Sequence, residues 1–369
     1  MLTFQYIDDD ASLANLVSQY RESQLLVLDT EFVRTRTFYA RLGLIQAYDG
    51  KTLALIDPTA VSDLSDFWDL LKTPEITTVL HSCSEDLEVF ARNGHCQPVK
   101  LFDSQIAAAL CGFGHGLGYA KLVEQTLSIP LDKGESRTDW MKRPLSEAQL
   151  NYAANDVYYL YELYPQLVEK LAELNRLDWV FEEGERMTQG RLASPDFELA
   201  YLRVKNAFQL SPKQLAYLKV LAKWRLEKAV SRDLAVGFVV KDHALIGLAK
   251  RQPKNSTELY KMIELTEQEK RVHGKDLIGL LATADLDNLP EAIDVLALKT
   301  GYKSAFKTIK QCLTTVSEEH EVPIELLGSK RHIHEYLEWL WAGKVGDKPL
   351  LLTGWRETLV STPLTVLSL

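Results

Sequence analysis

The sequence lacks any apolar run that approaches the ~20 residues needed to span a bilayer. Its N-terminal segment, MLTFQYIDDDASL, is acidic where a secretory signal peptide is basic. The cysteines are few and include no Cys-x-x-Cys pair, which disfavours a zinc knuckle or a disulfide framework; they are Cys83, Cys96, Cys111 and Cys312. These absences predict a cytoplasmic protein with reduced, structural cysteines.

The sequence also lacks a basic excess. A net charge of -9 over 369 residues disfavours a protein that coats nucleic acid, because such proteins are usually basic. One segment departs from this balance: residues 211–254 contain ten Lys or Arg against three Asp or Glu. Any contact with nucleic acid is therefore expected to use a local patch. The length itself predicts two or three domains, since most domains have ~100–200 residues.

Short apolar runs alternate with helical patterns from the N-terminus to about Tyr164. The runs LLVLDTEF, LGLIQAYD, TLALIDP and TTVLHS predict strands, and SEDLEVFARNG predicts a helix, which together indicate an α/β domain. From Glu147 onward the apolar spacing is helical, and the remaining chain is predicted to be mostly helix. Ser211-Pro212 is typical of a helix start. The segments DLAVGFVVKD and EVPIELLGSK can be aligned, which indicates a diverged tandem repeat.

Two carboxylates, Asp29 and Glu31, end the first long apolar run. Residues two apart on a strand share a face, so both side chains are expected to project together. Like charges ~4 Å apart repel by roughly 4 kcal/mol at an effective dielectric of 20, and a cation would relieve that repulsion. The pattern therefore indicates a site for a hard metal ion, although a solvated strand end would show the same two residues.

Two later segments carry further candidates. Asp86 falls in the first turn of a predicted helix, where it could be a metal ligand or simply complement the helix dipole. Tyr152 and Asp156 are one helical turn apart, so a tyrosine hydroxyl could orient a water beside a metal-binding carboxylate. Ordinary aromatic packing on an amphipathic helix is the alternative interpretation of that pair.

The order of these three segments resembles the DEDD exonuclease superfamily, whose motifs would be LDTEF, HSCSEDLEVF and YAAND. A tyrosine four residues before the last aspartate is typical of the DEDDy branch. Together with LDKGESRTDWMKRPL and the helical C-terminal half, the motifs are similar to the ribonuclease D family over nearly the whole chain.

The resemblance implies an architecture. An α/β exonuclease domain, with an RNase H-like mixed sheet flanked by helices, would occupy residues 1–195. Two all-α helicase-and-RNase-D C-terminal (HRDC) domains would follow at 209–286 and 296–369, the second of them diverged.

The resemblance also implies an activity: a 3′–5′ exoribonuclease that releases 5′-mononucleotides by two-metal hydrolysis. The implied metal ligands are Asp29, Glu31, Asp86 and Asp156. Tyr152 would position the attacking water, and the ions would be two Mg²⁺ or Mn²⁺. The implied partners are RNAs, tRNA precursors with 3′ extensions and other small stable RNAs.

Candidate RNA contacts are aromatic and basic residues near these motifs and in the basic segment, since single-stranded RNA is held by stacking and by cations. They are Arg34, Arg36, Tyr39, Trp140, Lys142, Arg143, Lys219, Lys223 and Arg225. For Arg34, Arg36 and Tyr39, a solvated surface is an equally good interpretation.

Two other function classes remain open at this point. A DNA exonuclease would use the same four carboxylates, although no polymerase domain follows. A non-catalytic binding module is a second alternative, disfavoured because all four acids are present. A helicase is excluded, since the chain has no G-x-x-x-x-G-K-[ST] loop.

Overall fold

The computed structural model describes residues 2–131, 134–192 and 194–367. Within those ranges the strands are β1 Gln5–Ile7, β2 Leu25–Val33, β3 Arg41–Tyr48, β4 Leu53–Ile56, β5 Thr77–Leu80 and β6 Leu101–Asp103. They form one mixed sheet in the order β1-β4-β3-β2-β5-β6. Strand β3 is antiparallel to its neighbours β2 and β4, and the other pairs are parallel.

The helices of the N-terminal half are α1 Asp10–Tyr20, α2 Ser65–Leu70, α3 Ser84–Asn93, α4 Ser104–Leu110, α5 Tyr119–Leu127, α6 Glu147–Glu173 and α7 Leu177–Thr188. Helix α6 begins at a capping box, in which Ser146 and Gln149 satisfy each other's backbone N–H groups. Its apolar side packs on β2, β3 and β4. The predicted mixed sheet with flanking helices is confirmed.

The C-terminal half is helical, as predicted. Its helices are α8 Pro212–Ser231, α9 Val236–Val239, α10 Asp242–Arg251, α11 Ser256–Tyr260, α12 Glu267–Leu281, α13 Tyr302–Glu319, α14 Ile324–Leu327, α15 Lys330–Trp341 and α16 Gly354–Thr365. Helix α8 begins where Ser211-Pro212 predicts, with Ser211 as its cap. No helix in the described ranges is both long enough and apolar enough to cross a membrane.

The tandem repeat is visible in the backbone. A long helix, a one-turn helix and a third helix follow one another in α8-α9-α10 and again in α13-α14-α15. Asp233 and Glu321, which the sequence alignment pairs, both have a left-handed backbone, with φ of 48° and 50°. Two segments that bend the chain at matching residues in this rare conformation support a common origin.

The chain forms two compact units. The first contains Met1–Val33, Arg41–Leu192 and Lys299–Leu369, so the second repeat belongs to the same unit as the sheet. The second contains Ala193–Leu298 together with Arg34–Ala40, the connection between β2 and β3. Within this second unit, the Asp233 carboxylate accepts hydrogen bonds from the backbone N–H groups of Phe38 and Tyr39, at 3.1 and 2.9 Å.

Candidate active site

Three acidic side chains from two elements meet at one face of the sheet. Asp29 and Glu31 project from β2 on the same side, and Asp156 comes from α6, which covers that side. One carboxylate oxygen from each residue lies within 4.8 Å of the other two. The structure therefore brings together residues that are more than a hundred positions apart in sequence, in the group that the motifs predict.

Asp86 lies in the first turn of α3 and is 6% exposed. It is not part of the closest group of three, but its charge contributes to the raised pKa of both Asp29 and Glu31. Its carboxylate accepts a hydrogen bond from the hydroxyl of Thr30, the residue between the two β2 acids. Thr30 thus links the second motif to the first, a role that the sequence did not suggest.

The start of α3 is fixed by Asp103, at the end of β6. Its carboxylate accepts hydrogen bonds from the backbone N–H groups of Ser82 and Cys83, at 3.2 and 2.9 Å, and also caps α4. Ser82 has φ of 57°, a left-handed conformation that turns the chain from β5 into α3. Asp103-Ser104 has the composition typical of a helix cap, whereas no local pattern indicates the contact of Asp103 with the start of α3.

Tyr152 lies one turn before Asp156 in α6, and both residues line the same cavity. Beneath it, the ring of Trp140 packs with a centroid distance of 6.2 Å. A second tyrosine holds the backbone of α6 at Asp156 itself. The Tyr119 hydroxyl contacts the carbonyl oxygens of Asn155 and Asp156 at 3.0 and 2.6 Å. Tyr119 was not predicted as a site residue.

Burial raises the pKa of every acid in this cluster. Burial is the largest cause for Asp29, Glu31, Asp86 and Asp156 alike, and neighbouring carboxylates add to it for Asp29 and Glu31. The pKa reaches about 9 for Glu31, about 7 for Asp86 and about 8 for Asp156. Such a site favours either protons or cations, and its all-oxygen donors fit a hard divalent ion.

A cavity of about 230 Å³ adjoins this cluster. Its lining includes Tyr152 and Asp156 together with Asn151, Asn155 and Glu135. The cavity therefore gives a small polar molecule access to one side of the acidic cluster. Asp132 and Lys133, in the LDKGESRTDWMKRPL motif, lie outside the described residues.

Two predicted RNA contacts near the site are wrong. Trp140 is 1% exposed, so its ring is part of the core and cannot stack on a base. The Arg143 guanidinium binds the Asp57 carboxylate and donates to the Gly43 carbonyl oxygen at 2.6 Å. A Cβ on Gly43 would lie 2.6 Å from the Trp140 carbonyl oxygen, so this segment packs tightly against β3. These residues hold the loop before α6 in place. The contact of Lys142 with RNA stays a prediction.

In the second unit a third predicted contact, Arg225, is also wrong. It is 6% exposed, and its guanidinium donates to the Asp242 carboxylate and the Val240 carbonyl oxygen, at 2.7 and 2.9 Å. Lys219 and Lys223 stay on the surface, each 42% exposed, where both pair with Glu198. The sequence could not distinguish these cases, because the partners of a basic side chain depend on tertiary packing.

The connection between β2 and β3 carries the remaining candidates. Arg34 and Arg36 are exposed, and Tyr39 is half-buried. The Arg36 guanidinium lies over the ring of Phe238, 5.8 Å from its centroid, and Phe238 is 60% exposed. Arg34 donates to the Phe38 carbonyl oxygen at 3.2 Å. The structure thus leaves the surface of this connection, formed by Arg34 and Arg36, accessible to a ligand.

Comparisons with known proteins find similarity over nearly the whole chain. Residues 4–172 match a 3′–5′ exonuclease family model, residues 214–281 an HRDC domain and residues 300–364 the C-terminal HRDC domain of ribonuclease D. The chain is 68% identical to ribonuclease D of Shewanella sp. (strain ANA-3) over 364 residues, which is 99% of this chain and 94% of that protein. This chain belongs to the ribonuclease D family.

Membership in the ribonuclease D family is supported by a second relative and by a solved structure. Ribonuclease D of Escherichia coli K12 is 43% identical over 367 residues, covering 98% of each chain. The crystal structure of Escherichia coli RNase D, described as an exoribonuclease involved in structured RNA processing, matches with a TM-score of 0.94 and covers 99% of this chain and 98% of that one.

The predicted family and activity class are confirmed. As a ribonuclease D family member the chain is a hydrolase, a 3′–5′ exoribonuclease. Its exonuclease fold is of the kind that uses divalent metal ions.

Proposed function

We propose that Asp29, Glu31, Asp86 and Asp156 hold two Mg²⁺ or Mn²⁺ ions at the face of the sheet, and that hydrolysis of RNA 3′ ends takes place there. The observation that carries this proposal is the approach of three carboxylates to within 4.8 Å of one another. Buried acids with raised pKa values gain most from a cation, because it removes both repulsion and the cost of charging a buried group.

In this proposal each residue has a distinct task. When bound, the ions would stabilise the negative charge that develops on the attacking and leaving oxygens. Tyr152 orients the attacking water from its position one turn before Asp156. Thr30 fixes one oxygen of the Asp86 carboxylate by donating to it. Tyr119 keeps the backbone of α6 at the level of β2.

We propose that the substrates are small structured RNAs with 3′ extensions, tRNA precursors among them, in the cytoplasm. The 43% identical Escherichia coli relative, described as acting in structured RNA processing, supports this proposal. On the surface, the proposed RNA contacts are the exposed or half-buried predicted residues Arg34, Arg36, Tyr39, Lys142, Lys219 and Lys223. Domains at 1–195, 209–286 and 296–369 remain the proposed division of the chain.

The direct test uses RNA and DNA of one sequence, labelled at either end, incubated with Mg²⁺ or Mn²⁺. We expect RNA to be shortened from its 3′ end with release of 5′-mononucleotides. The variant Asp156→Asn should lose this activity and still bind RNA, whereas Asp69→Asn, which changes an exposed acid paired with Lys72, should leave it intact. Full activity of Asp156→Asn would refute the assignment of the site, and a preference for DNA would refute the substrate class.

A further inference from the structure

Gln46 lies next to the acidic cluster in a position that the motifs do not mark. It is in β3, directly across from Asp29 of β2 in the antiparallel register. Residues paired in this way project from the same face of the sheet, with Cβ atoms about 4.5–5.5 Å apart. Gln46 is therefore the immediate cross-strand neighbour of a proposed metal ligand.

The carboxamide of Gln46 is buried and has no hydrogen-bond partner in the part of the chain that the structure describes. The residue has 0% exposure, and both its Nε2 and Oε1 atoms are unpaired among the residues that the structure describes. Burying such a group is unfavourable, because in the unfolded chain water would bond to both atoms. A buried amide left unpaired in a folded protein is uncommon and needs an explanation, such as a bound water or a part in a functional site.

Helix α6 encloses this position from above. Tyr48, two residues further along the same face of β3, packs against Tyr158 and Tyr161 of α6, with ring centroids 5.8 and 4.9 Å away. The same helix carries Asp156. Gln46 thus lies between the strand and the helix that supply the three closest carboxylates, a place where water has little access.

We propose that Gln46 is a positioning residue of the nuclease centre, whose Nε2–H donates to the Asp29 carboxylate in the metal-loaded enzyme and fixes its orientation. This inference rests on the proposed role of Asp29 as a metal ligand. A hydrogen bond from an amide to a charged carboxylate is stronger than one between neutral groups. Groups that orient metal ligands in this way contribute to both metal affinity and rate.

The test is Gln46→Met, which keeps the length of the side chain and removes both polar atoms. Without metal, we expect the variant to be more stable than the wild type, with Tm higher by about 2 °C, because the unpaired amide is gone. The Mg²⁺ concentration needed for half of the thermal shift should rise about tenfold, and kcat should fall about tenfold with KM within about twofold. A purely structural residue would not combine a gain in stability with a loss of metal affinity.

The matched control is Thr78→Val, in β5 of the same sheet. Thr78 is also 0% exposed, and its hydroxyl is also unpaired among the described residues. The inference assigns it no part in the site. Thr78→Val should therefore raise the metal-free Tm like Gln46→Met and leave both kcat and the Mg²⁺ response unchanged.

Two results would overturn the inference. Normal kcat and a normal Mg²⁺ response in Gln46→Met would show that the amide takes no part in the site. A lower metal-free Tm would show that the amide already has a partner in the metal-free protein. Asp156→Asn, measured alongside, separates this inference from the proposed function: if that variant is active the metal site itself is wrong, whereas if it is inactive and Gln46→Met is normal, only Gln46 is wrongly assigned.

Discussion

The guanidinium of Arg356 binds the carboxylate of Glu183, and both side chains are almost fully buried, at 2% and 1% exposure. Glu183 is in α7 and Arg356 is in α16, so the pair joins these two helices within the first unit. The arginine also donates to the Leu326 carbonyl oxygen at 2.7 Å. Beside it, the rings of Trp179 and Trp355 stack with centroids 4.8 Å apart.

Removing one partner of this pair should be costly. We expect Arg356→Met to lower the free energy of unfolding of the first unit by about 3 kcal/mol, because the buried Glu183 would keep only Arg186, a partner that is itself 39% exposed. Urea unfolding followed by tryptophan fluorescence measures this change. Lys348→Met is the control, since its pair with Glu357 is exposed and should contribute less than about 1 kcal/mol. Equal effects of the two substitutions would contradict this account.

Tyr152→Phe should reduce kcat about a hundredfold with little change in KM, because it removes the hydroxyl that lies beside Asp156 and keeps the ring on Trp140. Single-turnover hydrolysis of end-labelled RNA gives the rate. Tyr158→Phe changes a tyrosine of the same helix that packs on Tyr48, and it should behave like the wild type. Unchanged turnover in Tyr152→Phe would remove this hydroxyl from the mechanism.

The metal-free protein should lose stability as the pH rises. The pKa values of Glu31, Asp86 and Asp156 are raised to about 9, 7 and 8, so the folded state binds more protons than the unfolded chain, whose acids have pKa values of about 4. The stabilising contribution of these protons is complete below pH ~4 and is lost as the pH passes through the raised values. Thermal unfolding in EDTA should therefore show Tm falling between pH 5 and 9.

The variant Asp156→Asn checks the cause of that fall. It removes one buried carboxylate, so at pH 8 without metal it should have a Tm at least about 2 °C above that of the wild type. In the wild type, the stabilisation by Mg²⁺ should grow with pH, because the ion competes with protons for the same oxygens. A Tm that is insensitive to both pH and Mg²⁺ would mean that these acids are not the ion site.

The lysines of α8 offer a test of RNA binding in the second unit. Lys219→Gln with Lys223→Gln should weaken binding of structured RNA and reduce the slope of log K against log salt by about 2, if each lysine contacts one phosphate. Glu198→Gln, which removes their shared partner, should have the opposite effect on affinity. Binding is measured in the Asp156→Asn background to prevent hydrolysis. A salt dependence that stays the same in all variants would show that these lysines do not contact RNA phosphates.

The sequence predicted the elements of the candidate site because strands and helices follow local rules, whereas the choice of the acids came from the resemblance of the three motifs to a known family. A buried strand that ends in Asp29 and Glu31 and a helix with Tyr152 and Asp156 on one side can be recognised by periodicity. The predictions failed where a side chain is held by a distant partner. Arg143 binds Asp57 from the loop after β4, and no local pattern distinguishes such an arginine from one that binds phosphate.

The same limit explains the residues that were missed. Thr30 lies inside the first motif, yet its bond to Asp86 depends on how α3 packs against β2. Gln46 becomes conspicuous only when the register of β2 and β3 is known, since its amide would be unremarkable on an exposed strand. The excess of Lys and Arg in residues 211–254 also overstated the charge available to RNA. One of these residues, Arg225, is paired with Asp242 within the helical fold.

The return of the chain to its first unit at Lys299 has a practical consequence. A protease that cut the chain near residues 193 and 298 would produce three fragments, of which the one with the sheet and the one with the last seventy or so residues belong to the same folded unit. The two pieces would remain attached through the Glu183–Arg356 pair and the tryptophan stack. These two fragments should therefore elute together on gel filtration and run as separate bands under denaturing conditions.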